Sequence, residues 1–406
     1  MDYVTYAVPF FLLAILIELA YGILKNKNTY RLNDAISNLF MGSLRSANKL
    51  IIIGLGGYVF YAIETHYALW RMDASSPIVW VFAFVFYDFC YYWFHRISHE
   101  RQIFWASHVA HHQSVDYNLS TALRQTGTGA FFTWVFYIPV FLLGVPSYVF
   151  VSVASINLVY QFWVHSEHIP KLGWYEKFFV TASNHRVHHA QNDNYIDKNY
   201  GGVFIIWDRM FGTYKEEDES EAPIYGIRGT LNTFNPIWAN LHVYFSMAKD
   251  IWNAQNWKDK FFVPFARTGW RPSSLPEQPA KDNFDAETFQ KYNPEVSIKI
   301  KIYSFFQFLA LAYVGLVILE SGELNYQELW VTVSMMAFTM YCTSLWLDGK
   351  EGFAMEITRL ALCIIIGVYS FFDATLGSIA ISLLGYAGIN ILLLPLINRP
   401  QIFSKA

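Results

Sequence analysis

Hydrophobic positions along this chain fall in long unbroken blocks, not in the one-face or alternating spacing of a water-exposed domain. The first block, 4–24, has about the length a helix needs to cross a bilayer, and only Asp2 precedes it where a cleaved signal would carry positive charge. It reads as a retained span. Glu18 lies inside it: an intramembrane carboxylate marks a functional candidate, but its place near the basic end suits snorkelling, which is the reading taken. After Lys25, Lys27 and Arg31 an amphipathic run leads to a second span over 49–63, and Arg71 and Asp73 precede a third over 77–94. Between 129 and 164 two apolar runs broken by Gly144 and Pro146 predict a helical hairpin that enters and returns on the same side.

Residues 190–298 are the one long polar stretch, with an acidic patch at Glu216, Glu217, Asp218, Glu219 and Glu221, and they predict a cytosolic cap or a peripheral layer. Its Trp238, Trp252, Trp257 and Trp270 either form an interfacial aromatic belt or pack that cap. Four more spans follow over 302–319, 328–347, 354–372 and 376–396. Lys299, Lys301, Lys350, Arg399 and Lys405 fall on one side of these, and Glu323 and Asp373 on the other. By the positive-inside rule the lysine side is cytosolic, in a bacterial cytoplasmic membrane or the endoplasmic reticulum. The expected architecture is an all-α, polytopic helical bundle in three parts: N-terminal membrane helices (1–76), a catalytic core with hairpin and cytosolic cap (77–298), and a four-helix membrane region (299–406).

Composition agrees. Of 406 residues 54% are hydrophobic and only 15% charged, too apolar for an ordinary soluble domain. A net charge of -3 without a basic run argues against nucleic acid as a partner. Cys90, Cys342 and Cys363 all sit in apolar stretches and read as small core residues.

Candidate chemistry is concentrated between the spans. Ten histidines fall between residues 95 and 189: His95 and His99; His108, His111 and His112; His165 and His168; His185, His188 and His189. Positions three and four apart share a helix face, so each cluster can aim its imidazoles at one point. Eight such imidazoles exceed what one tetrahedral zinc can use, so two metals are implied, and redox metals with open positions beside a bilayer suit dioxygen activation against lipid C–H bonds. His165 is the choice for a ninth ligand, and His168 a contact beyond the ligands or a bystander. His66 and His242 stand alone and read as ordinary polar residues.

Three further groups are candidates for supporting roles. Asp88, two turns before His95, either accepts an imidazole N–H or pairs with an arginine. Glu100 either orients a ligand and relays protons or is a solvated helix residue. Asn184, with Asp193 and Asp197, surrounds the last cluster as a loop-forming or ligand-supporting residue.

The series His95-Arg-Ile-Ser-His99-Glu100, His108-Val-Ala-His111-His112-Gln113-Ser114 and Asn184-His185-Arg186-Val187-His188-His189 resembles the fatty acid hydroxylase and sterol desaturase superfamily of membrane di-iron enzymes. The stretches 117–125, 163–167, 197–202 and 207–214, with the four C-terminal spans, look like its alkylglycerol monooxygenase branch. That resemblance implies two iron ions, a lipid substrate, O2, tetrahydrobiopterin or a redox protein as electron donor, and membership of Glu100 in the signature. Hydroxylation next to an ether oxygen would release a fatty aldehyde. A sterol or fatty acyl hydroxylase or desaturase is the alternative, sharing the whole site. A metal transporter is the reading from another class, but it needs ligands spread through the membrane depth, not gathered at one face.

Overall fold

The apolar blocks become helices because only a helix satisfies every backbone N–H and C=O within one segment in hydrocarbon. The structure is a computed structural model that describes residues 3–276, 284–319, 321–373 and 375–397. Among these residues regular structure is helical, with only isolated bridges such as Arg101 to Arg267. Six helices are long and apolar enough to cross a membrane. They include α1 (Tyr3–Leu24) and α3 (Pro77–Glu100). Helix α2 (Leu32–His66) joins the amphipathic run and the second apolar block, expected separately, into one element.

The chain forms two units. The first comprises Met1–Tyr30, Leu50–Leu231 and Asn240–Gln290. Here α3 packs against the hairpin, whose returning arm is α4 (Ser147–Trp163), through Ala83, Cys90, Tyr137, Val140, Phe141, Val145, Val149 and Val153. The hairpin turn meets the α2–α3 connection: Leu69 N–H donates to the Leu142 carbonyl at 2.8 Å and Met72 N–H to that of Gly144 at 3.2 Å. Gly144 has φ +86°, and a Cβ there would stand 1.8 Å from the Trp70 carbonyl oxygen, so only glycine can make this turn. The turn therefore lies at the end of α3 away from its histidines, and both hairpin arms open toward them.

Glu18 corrects the snorkelling expectation. It is buried and accepts hydrogen bonds from Tyr30 Oη, Leu119 N–H and Ser166 Oγ, tying α1 to the segments that flank two histidine clusters. A carboxylate in an apolar helix finds donors inside the protein here, so it has no need of water. Beyond the hairpin, α5 (Ala182–His189) carries the last cluster, and the polar stretch contains α6 (Pro236–Asn253) and α7 (Trp257–Phe262). Trp252 and Trp257 point outward while Trp270 packs against Phe262.

The second unit comprises Arg31–Lys49, Asn232–Ala239 and Lys291–Ala406. Its helices α8 (Ile298–Tyr313), α9 (Tyr326–Leu347), α10 (Phe353–Ser370) and α11 (Ala380–Leu393) match the four C-terminal spans. They enclose the Glu356–Arg359 ion pair, with Tyr303 and Asn390 also bonded to Arg359. Because the helices alternate in direction, Lys299, Lys301 and Lys350 share one end, and Glu323 and Asp373 the other. Arg399 and Lys405 lie outside the described residues. The three cysteines are buried and free.

Candidate metal centre

Nine histidines converge, and they sort into two groups. His95, His99, His108, His112 and His188 place their ligand atoms within 4.8 Å of one another, and His111, His165, His185 and His189 do the same. All nine are buried. The division follows helical geometry. Residues four apart are about 40° apart around a helix axis, neighbours about 100°. Accordingly the pairs His95/His99, His108/His112 and His185/His189 each stay within one group, while His111 and His188 each cross to the other. His165, just after α4, completes the smaller group.

Backbone carbonyls set the tautomers. Nδ1–H of His95 donates to Tyr200, that of His111 to Arg124, that of His165 to Gln161 and that of His188 to Lys198, at 2.8 to 2.9 Å. A carbonyl can only accept, so in the neutral ring the proton sits on Nδ1 and the Nε2 lone pair faces inward. Burial holds these rings neutral: His111 is pushed down to about 4, His188 to about 3, and His165 well below the ordinary range.

The arrangement fits a cation. Nε2 of His165 lies 3.4 Å from Nε2 of His111. Since both rings carry their proton on Nδ1, two lone pairs confront each other with no hydrogen between them. Only an electron-pair acceptor makes that contact favourable. The other Nε2 separations, His95 to His108, His108 to His112, His165 to His185 and His185 to His189, are 3.0 to 3.2 Å. Two metal–nitrogen bonds of about 2.1 Å at 90° to 109° would set nitrogens roughly 3.0–3.4 Å apart. Nε2 of His99 and His188 are buried and have no protein partner.

The loop after α5 does much of the positioning. Asp197 and Asn199 both have positive φ, 58° and 57°, a backbone region costly for residues other than glycine but tolerated by Asp and Asn. This turns the carbonyls of Lys198 and Tyr200 toward His188 and His95. Asn199 is held by the carbonyls of Asn184 and Lys215, which accept from its Nδ2, and by Lys215 N–H. Asn199→Ala is therefore expected to weaken metal binding about 10–100-fold, the usual cost of losing a group that orients a ligand. Chelator competition on the purified protein measures it.

Asp88 corrects an expectation. It contacts neither an imidazole nor an arginine. Its carboxylate accepts from Asn157 Nδ2 (2.6 Å), Val203 N–H (2.8 Å), Phe204 N–H (3.0 Å) and Trp207 Nε1 (3.0 Å), holding the 203–207 segment against α3. Gly202 permits this approach, because a Cβ there would come within 2.8 Å of Asp88 Oδ1. Asn184 caps α5: its Oδ1 accepts from Thr181 N–H at 3.1 Å, while its buried Nδ2 has no partner. Glu100 pairs with Arg96 at 2.8 Å and stays partly exposed. Asp193 pairs with Arg228, and Asp197 Oδ1 lies 3.9 Å from His99 Nδ1.

His168 joins neither group. It packs edge-on against Tyr21, 5.2 Å between ring centres. Arg186, between two ligand candidates, was missed by spacing arguments: it forms a two-point ion pair with Glu217 and donates to the carbonyls of Ser166 and Ile169, tying α5 to the His165 segment.

Buried neutral imidazoles make stability depend on pH. A histidine whose folded pKa lies below its ordinary value of ~6.5 binds its proton mainly in the unfolded state, so its contribution is full above ~6.5 and is lost as pH falls toward the folded value. For His111 that window runs from 6.5 down to about 4, and for His188 down to about 3. Metal-free protein should melt at progressively lower temperature as pH drops from neutrality toward 5, followed by thermal unfolding in detergent.

Membrane-length helices, one of which carries His95 and His99 beside seven further buried imidazoles from short helices and connections, define an integral-membrane enzyme built around a histidine metal site. Comparison with known proteins makes this specific. Residues 80–213 match the fatty acid hydroxylase family model. The chain is 39% identical to human alkylglycerol monooxygenase over 365 residues, 88% of this chain and 81% of that protein. It is 40% identical to the Danio rerio alkylglycerol monooxygenase over 66% of this chain and 60% of that one. An ornithine lipid hydroxylase from Rhizobium tropici is 28% identical over 41% of this chain. No solved structure matches. The chain belongs to the alkylglycerol monooxygenase branch of the fatty acid hydroxylase family. It is a multi-pass membrane protein and an O2-dependent lipid monooxygenase with a histidine metal site.

Proposed function

We propose that this chain is a di-iron ether-lipid monooxygenase that hydroxylates the carbon beside the ether oxygen of an alkylglycerol. The resulting hemiacetal collapses to a fatty aldehyde and glycerol. One atom of O2 enters the C–H bond and the other leaves as water, with two electrons and two protons drawn from a donor. A reduced pterin, tetrahydrobiopterin, is the donor favoured by family resemblance. The observation that carries this reading is the reach of the similarity: the human alkylglycerol monooxygenase aligns over 88% of the chain, whereas the sterol desaturases of Gibberella zeae align over 38% and 50%.

In this reading His95, His99, His108, His112 and His188 hold one iron, and His111, His165, His185 and His189 the other. Bound iron supplies the redox chemistry that activates dioxygen. The chain's own residues do the rest. Tyr200, Arg124, Gln161 and Lys198 lend carbonyls that keep four imidazoles oriented and their lone pairs inward. The rings of Trp105, Tyr117 and Tyr200, packed against the imidazoles, help to exclude water from the site. Glu100, one residue from His99 and reachable by solvent, relays protons at the site's edge, with Arg96 holding its carboxylate in place. Asp88 and Asn184 act as positioning residues. The site faces the cytosol, as supported by Lys25 and Lys27 at the end of α1, the helix that Glu18 ties to the histidine segments.

The test is product identity. Purified, iron-loaded protein is incubated with a mixed lipid extract, with and without reduced pterin. Release of fatty aldehyde from alkylglycerol, dependent on the pterin, is the expected result. A lipid that retains a new hydroxyl or gains a double bond would instead assign a sterol or fatty acyl hydroxylase or desaturase.

A further inference from the structure

Helices α6 and α7 and the turn that follows them leave large aromatic side chains facing outward. Phe245 is 61% exposed, Trp252 and Trp257 are each 84% exposed, Phe261 76% and Phe265 51%. Phe245 and Trp252 are seven residues apart, two helical turns, and so lie along one stripe of α6. The opposite side of the same element is packed: Met247 and Val263 bury against Ala106, with Ile103, Val243, Tyr244, Ile251 and Trp270 around them. One face is therefore anchored, and the other presents exposed aromatic rings.

What covers it follows from where it is fastened. The segment is strapped to the end of α3, a helix long and apolar enough to span the membrane. Gln102 N–H donates to the Ala266 carbonyl at 3.1 Å, and Thr268 N–H to that of Glu100 at 3.3 Å. Arg101 Nη1 donates to the Phe265 carbonyl at 3.2 Å, and Gln102 Nε2 to that of Trp270 at 2.8 Å. The aromatic face is thus fastened beside the histidine-bearing end of α3, where a spanning helix would leave the bilayer. Its basic residues fit that depth: Lys249 and Lys258 are exposed, and Lys260 sets its ammonium 5.3 Å from the Trp257 ring centre while donating to the Trp252 carbonyl. Tryptophan and phenylalanine with lysine at their edges is the composition of helices that lie in the headgroup region.

We propose that residues 240–265 form an in-plane membrane anchor that immerses Phe245, Trp252, Trp257 and Phe261 at the headgroup–acyl boundary of the bilayer α3 crosses. Trp105, in the short helix Gln102–Ala106 that joins the strap to the histidine segment, lies 5.1 Å from the His99 ring. The anchor so holds the rim of the metal site against the lipid surface. This holds whichever lipid is oxidised.

The experiment uses the full chain in nanodiscs of phosphatidylcholine and phosphatidylglycerol. A nitroxide is attached at Trp252→Cys, Phe261→Cys and, as an aqueous reference, Ser220→Cys, an exposed position in the acidic stretch. The native cysteines are buried, and unsubstituted protein reports any background labelling. Power saturation compares collision with O2, which concentrates in lipid, against collision with a water-soluble nickel chelate. The expected result is an O2-to-nickel ratio several-fold higher at 252 and 261 than at 220. A ratio at either position equal to that at 220 would overturn the anchor. Shielding of either from both reagents would overturn it as well, since a second copy or another protein would then cover the face.

Discussion

Replacing His111 with alanine is expected to abolish lipid oxidation and, on the proposed assignment of one iron to each histidine group, to lower bound iron at the four-imidazole group alone. His111 belongs to the four-imidazole group, so its removal leaves three donors, whereas the other group keeps five. It also leaves the Arg124 carbonyl without the Nδ1–H that it accepts at 2.9 Å. Losing a residue that merely orients a ligand costs about 10–100-fold, so losing a ligand should exceed ~100-fold in activity. Metal analysis of the purified variant, paired with aldehyde release from alkylglycerol, measures both. Unchanged iron together with full turnover would remove His111 from the ligand set.

Asp88→Ala is expected to destabilise the protein by at least about 1–3 kcal/mol, the cost of one buried backbone N–H left without an acceptor, with a part-buried second N–H adding to it. Those groups belong to Val203 and Phe204, and Asn157 and Trp207 lose an acceptor too. The segment they hold begins just after Tyr200, whose carbonyl accepts from His95. The variant should therefore melt at lower temperature and bind iron less tightly although Asp88 touches no histidine. Asp88→Asn should recover only part of the loss, because its amide NH2 faces donors with another donor. Thermal unfolding in detergent and chelator competition check both variants, and a melting temperature unchanged in Asp88→Ala would make the carboxylate dispensable.

The helical spans were readable because each is a local property. A block of apolar residues about 20 long has one way to satisfy its backbone in lipid, and six of the expected spans coincide with membrane-length helices, with ends that differ by up to six residues, as where α3 runs on from 94 to Glu100. The joining of 32–66 into one helix was less visible, since its amphipathic first half and apolar second half follow different patterns. Glu18 was read as a snorkelling carboxylate and Asp88 as the partner of an imidazole or an arginine, because their actual partners, Leu119 and Ser166 for one and Val203 and Phe204 for the other, lie about a hundred or more residues away. Periodicity carries no record of such contacts.

The histidines divide along the same line. Spacing by itself determined that His95 and His99, His108 and His112, and His185 and His189 each act together, because four residues nearly complete a helical turn. It also marked the eight histidines of the three clusters as ligand candidates, with His165 chosen over His168 as a ninth. Only the tertiary structure decided that His111 and His188 cross between groups, that His165 joins them while His168 turns away to Tyr21, and that Trp252 and Trp257 face outward. The reason is physical: a helix dictates the angle between its own side chains, but which two helices an imidazole points between depends on packing among segments far apart in the chain.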